Sequence, residues 1–144
     1  DVIVKGVNAD ALTVATSSGD IKLDSVSSKD TRISANSGDV SLGDVVMDNI
    51  DLKTSSGNIT SGSIKAKRIN GRASSGDVMI RDCDASEINV VTTSGDVSIG
   101  IGSEMKYEYN TKTSSGDVNV PDSVEGADGK CNIETSSGDI DVTQ

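Results

Sequence analysis

The sequence predicts an all-β fold: a parallel β-solenoid, that is, a single-stranded β-helix of about 19 residues per coil and about 7.5 coils. Three observations predict it. The phrase Ser-Gly-Asp, once Ser-Gly-Asn, occurs seven times, with glycines at Gly19, Gly38, Gly57, Gly76, Gly95, Gly116 and Gly138. The first five glycines are 19 residues apart, and the last two gaps are 21 and 22. Aliphatic residues recur at constant offsets from each glycine, and no segment of useful length has helical periodicity.

The elements follow in chain order. Two residues after each glycine stand Ile21, Val40, Ile59, Val78, Val97, Val118 and Ile140. Four after stand Leu23, Leu42, Ser61, Ile80, Ile99, Val120 and Val142. Polar residues lie between them, so each short run reads as a strand with one buried face. A third inward point falls seven after the glycine, at Val26, Val45, Ile64 and Cys83. A second strand approaches the next glycine, with Val14, Ile33, Leu52, Val90 and Ile133 five before it and Leu12, Ile50, Ile69, Ile88, Tyr109 and Cys131 seven before it. Threonine or alanine always stands three before it and is expected to point inward. The corner between the two strands calls for positive φ, which glycine reaches without steric cost. The aspartate that follows can bond a nearby backbone N–H. Such coils stack at roughly 4.8 Å, giving a rod of roughly 36 Å. Right-handed winding is favoured, as for parallel crossovers in general.

Residues 1–144 read as one solenoid domain, with regular coils over 1–99 and looser ones over 100–144. Gly100–Lys106 adds two residues to the period and Pro121–Lys130 adds three. Both insertions are expected to protrude near one another. Asp1, Val2, Val4 and Val7 fit the offsets one, two, four and seven from an absent glycine, so the chain reads as a fragment that begins in mid-repeat. An export signal or membrane anchor could then lie upstream. Both ends are expected to be open sheet edges, which favours end-to-end self-association.

The chemistry is sparse. The chain has no histidine, which removes Ser-His-Asp and Cys-His catalysis. The paired serines, such as Ser55-Ser56, read as stacked hydroxyls bonding along the corner. Asp20, Asp39, Asp77, Asp96, Asp117 and Asp139 should stack in one column, with Asn58 among them. Like charges at that spacing repel, so turn N–H groups, interleaved cations or bound ions must offset them. The favoured reading is turn-capping carboxylates; calcium between the coils is the sharper alternative. Asp122, Glu125 and Asp128 read as a solvated acidic loop. Cys83 and Cys131 fall on different inward columns more than two coils apart, beyond the roughly 7 Å a disulfide spans, and read as buried free thiols. No cofactor is implied. A net charge of −10 and the absence of a basic stripe exclude nucleic acid. The charge favours cationic partners, namely a cationic peptide, a basic protein surface or divalent ions, and a glycan is a further partner expected of a binding module.

The phrases Thr16–Ile21, Thr113–Val118 and Thr135–Ile140 resemble a bacterial adhesin-labelled β-strand-repeat family of cell-envelope proteins, and the resemblance spans essentially the whole chain. The family is a domain of unknown function and carries no catalytic residues to transfer. The resemblance implies an extracytoplasmic, non-enzymatic binding or scaffolding module at the bacterial cell envelope. The alternative is a structural spacer or self-assembling subunit; a carbohydrate-active β-helix enzyme comes third.

Overall fold

In the computed structural model, which describes all 144 residues, the chain forms a parallel β-solenoid with no helix. The strands are β1 (Val2–Lys5), β2 (Asn8–Ser18), β3 (Ile21–Asp24), β4 (Val26–Ser37), β5 (Val40–Leu42), β6 (Val45–Ser56), β7 (Ile59–Ser75), β8 (Val78–Ser94), β9 (Val97–Ile101), β10 (Tyr107–Lys112), β11 (Val118–Asn119), β12 (Gly129–Ser137) and β13 (Ile140–Thr143). In β7 and β8 the bend away from the glycine no longer interrupts the strand. All pairing is parallel and in register by repeat offset: Ile21 lies over Val40, and Ile33 over Leu52.

The inward columns form one core of 30 residues. The positions two and four after the glycines are buried along almost the whole rod. So are Val26, Val45, Ile64 and Cys83. Valine and isoleucine fill these columns because branched side chains pack well on a pleated surface. Thr54, Thr92 and Thr135 point inward as expected, and their hydroxyls donate to Gly38, Gly76 and Gly95 carbonyls at 3.3–3.4 Å.

The last two repeats do not stack in chain order. Each glycine corner with its flanking strands can be numbered as a unit from one to seven. Units one to five follow in sequence. Unit seven, β12 and β13 around Gly138, then sits directly on unit five: β12 pairs β8, and β13 pairs β9. Unit six, β10 and β11 around Gly116, lies outermost, on unit seven. The spatial order is thus one to five, then seven, then six.

The side chains explain the inversion. Unit seven offers an interior-grade set: Cys131, Ile133, Thr135, Ile140 and Val142 are all buried. Unit six carries Tyr109 and Thr111 on the matching columns, and Pro121 follows its short strand β11. Polar tips and a missing N–H suit an outer edge and would be costly between two coils. Val118 is accordingly 43% exposed, against 1% for Val97 and Ile140 on the same column.

Three sequence expectations change as a result. The insertions do lie near one another, with Gly129 N–H donating to the Lys106 carbonyl at 3.1 Å, but they serve as connectors between levels. Residues 102–106 carry the chain past the level that unit seven occupies, and residues 120–128 bring it back. The second of these also covers the outer edge of β10: Val124 N–H donates to the Tyr107 carbonyl at 2.9 Å, and Tyr109 N–H to the Ser123 hydroxyl at 2.9 Å. The N-terminal end, β1 and β2, presents an open sheet edge, and at the far end β11 remains an open terminal strand while β10 is partly covered. Finally, Cys131 is not two coils from Cys83. It pairs with Ile88, five residues along the same strand as Cys83. Both thiols remain free and buried.

Candidate functional site

The glycine corner is built by backbone geometry. All seven corner glycines have φ between +116° and +144°. From Gly38 onward, a Cβ at each would lie 2.1–2.2 Å from the carbonyl oxygen of the corner glycine beneath. Glycine is therefore required twice, once by conformation and once by the approach of neighbouring coils.

The aspartate column sits beside it. Each carboxylate accepts the backbone N–H of the aspartate one coil further along: Asp39 N–H to Asp20, Asn58 N–H to Asp39, Asp96 N–H to Asp77, all at 2.8–2.9 Å. Asn58 takes its turn through its side-chain oxygen, accepting from Asp77 N–H at 2.9 Å. The ladder then runs from Asp96 to Asp139 to Asp117, following the spatial rather than the chain order. These hydrogen bonds offset the stacked charge; the carboxylates cap the next coil's N–H, not their own turn. Nowhere do three acidic or thiol side chains gather in a group that could hold a metal ion. The calcium candidates Asp20, Asp39, Asp77, Asp96, Asp117 and Asp139 are thus placed as one exposed backbone-capping line. The serines beside it depart from expectation: Ser17, Ser18, Ser74, Ser75, Ser136 and Ser137 face solvent, and the bonds along the corner come from the backbone and aspartates instead. Asp122, Glu125 and Asp128 are exposed on the returning loop.

The broad face of the long strands is a different surface. Three outward columns cross it, seven rows high, at eight, six and four residues before each glycine. The first runs Ala11, Asp30, Asn49, Arg68, Glu87, Lys130, Glu108. The second runs Thr13, Arg32, Asp51, Asn70, Asn89, Asn132, Asn110, and the third Ala15, Ser34, Lys53, Arg72, Val91, Glu134, Lys112. Six cations stand there against five anions. The other surfaces hold the remaining seven cations and eighteen anions of the chain. Arg68 pairs with Glu87 at 2.9 Å and Lys112 with Glu134 at 3.3 Å. Hydrogen bonds from Asn89 and Arg68 hold the Glu87 carboxyl below its ordinary value. Lys53 and Arg72 are register partners.

Side-chain amides run up the middle of this face. Asn89 donates to Asn70 at 3.2 Å, and Asn132 donates to Asn89 at 2.8 Å. At the outer end they open into a shallow groove of about 370 Å³ lined by Glu108, Tyr109, Asn110, Lys130 and Asn132. Burial pushes the Tyr109 hydroxyl up to about 12. The sequence carried a signal for this column, since Asn70, Asn89, Asn110 and Asn132 all stand six before a glycine.

The comparison with known families decides what this chain is related to. The Toastrack family, DUF4097, matches residues 1–143. The chain belongs to that family. Toastrack is a domain of unknown function, so membership names the β-helical fold and no activity. No curated protein and no solved structure matches the chain.

Proposed function

We propose that this Toastrack domain is a rigid, non-enzymatic binding or scaffolding module of adhesin type, working outside the cytoplasm at the bacterial cell envelope. The observation that carries the reading is the broad face: flat, seven rows high, balanced in charge and laced with amides on an otherwise acidic molecule. A continuous parallel ladder fixes its spacing, so little order has to be imposed on binding. Asparagine amides both donate and accept, which suits the neighbouring hydroxyls of a glycan. The chemistry needed for catalysis gives the rival reading little support. The chain offers no histidine, and the stacked aspartates are engaged in capping backbone N–H groups.

The test is a glycan array with envelope polysaccharides, repeated with Asn110→Ala/Asn132→Ala and with Asp77→Asn/Asp96→Asn. Binding lost in the first pair and kept in the second supports the broad face. Binding carried by the aspartate column, or no glycan binding at all, contradicts it.

A further inference from the structure

The inverted order of the last two units has a consequence for association between copies. Units six and seven pair with each other through β10 with β12 and β11 with β13. They meet the rest of the rod chiefly through one sheet edge, β8 and β9. Tyr107 adds one peg: its ring passes Gly129, where a Cβ would come within 2.8 Å of it, and its hydroxyl donates to the Ala85 carbonyl. A single connector, residues 102–106, joins this pair to unit five.

That connector is fastened mainly to the pair it leads into. The Gln144 amide donates to the carbonyls of Met105 at 2.6 Å and Ser103 at 3.1 Å, and its oxygen accepts from the Tyr109 hydroxyl at 3.3 Å. Gly102 N–H, donating to the Cys83 carbonyl at 3.0 Å, is the tie to the rod. Unit seven can enter its place only if unit six has not already closed on unit five. The two units must therefore dock together, as a preformed pair, onto the open edge of β8 and β9.

We propose that units six and seven form an exchangeable module, and that the partner is a second copy of this chain, whose identical β8–β9 edge accepts it. Exchange replaces one interface by the same interface between chains, with the connector unfolded from its Gln144 fastening to span the gap. Each copy gives a module and receives one, so the product is a closed dimer.

The experiment is refolding of the full chain from urea at micromolar and at millimolar concentration, followed by light scattering on a sizing column. The variant Ser98→Cys/Asp141→Cys reports the arrangement, because these two residues are register partners across the docking edge. A monomer oxidised after dilute refolding should carry the new disulfide within one chain. A dimer from concentrated refolding should carry it between chains and stay dimeric on non-reducing gels. Gln144→Ala should raise the dimer fraction by about fivefold, as expected for lost hydrogen bonds that only the unexchanged connector makes. A chain that stays monomeric at every concentration overturns the proposal. So does a dimer whose new disulfides are all within single chains.

Discussion

At the scale of single residues, the corner glycines and the core glycine Gly71 make opposite predictions. Gly57 has φ +144°, and a Cβ there would lie 2.1 Å from the Gly38 carbonyl oxygen. Gly57→Ala should destabilise by about 3 kcal/mol or more, combining backbone strain with displacement of a neighbouring coil. Gly71 has an ordinary φ, and a Cβ there would meet only the Val90 side chain, at 3.7 Å. Gly71→Ala should leave stability unchanged or raise it by about 0.4–1 kcal/mol, because it restrains the unfolded chain. Urea titration of the two variants against the parent checks both signs. The need for positive φ could be read from the repeat. The carbonyl of the next coil could not, since that clash exists only once coils are stacked.

The cysteines give a pH dependence at the same scale. Burial raises both thiols from 9.0 to about 12, and at Cys83 the neighbouring Cys131 adds to the effect. In the unfolded chain they ionise near 8.5. Between those values the folded chain binds more protons, so stability falls as pH rises. Their contribution is fully present below about pH 8 and is lost progressively toward pH 12. Urea midpoints measured from neutral pH to about pH 10 should fall, and Cys83→Ala/Cys131→Ala should flatten the slope. An unchanged slope would remove the thiols as its cause.

At the scale of elements, the aspartate ladder is the device that lets like charges stack. Asp77→Asn keeps the acceptor for Asp96 N–H and removes one charge, as Asn58 already does one rung earlier in the same line of bonds. It should cost nothing measurable, while Asp77→Ala should cost about 1–2 kcal/mol by orphaning that N–H. Thermal melts of the two variants separate an acceptor role from a charge role. A larger loss for the asparagine variant than for alanine would contradict the ladder. From the sequence, the column itself was legible because every member follows a glycine. The bonding partner was not: an aspartate that caps its own turn and one that caps the next coil have the same spacing.

At the scale of the whole molecule, the parallel coil and the inward columns were legible because one period governs five repeats without interruption. The path of residues 100–144 was not. Two or three extra residues read equally well as outward loops or as climbing and returning connectors. What distinguishes the two is the fitness of each unit for the interior. Tyr109 and Thr111 belong at an end, and Ile133 and Ile140 belong between neighbours. The broad face depends on the same order, since Lys130, Asn132 and Glu134 reach their rows only because unit seven lies inside.

The central claim is therefore the stacking order, and nuclear Overhauser contacts between backbone protons across the sheet test it most directly. The account predicts contacts from Ser98 to Asp141 and from Val91 to Glu134, with Asn119 and Lys112 one coil further out. Contacts from Ser98 to Asn119 and from Val91 to Lys112 would show the repeats stacked in chain order and contradict it.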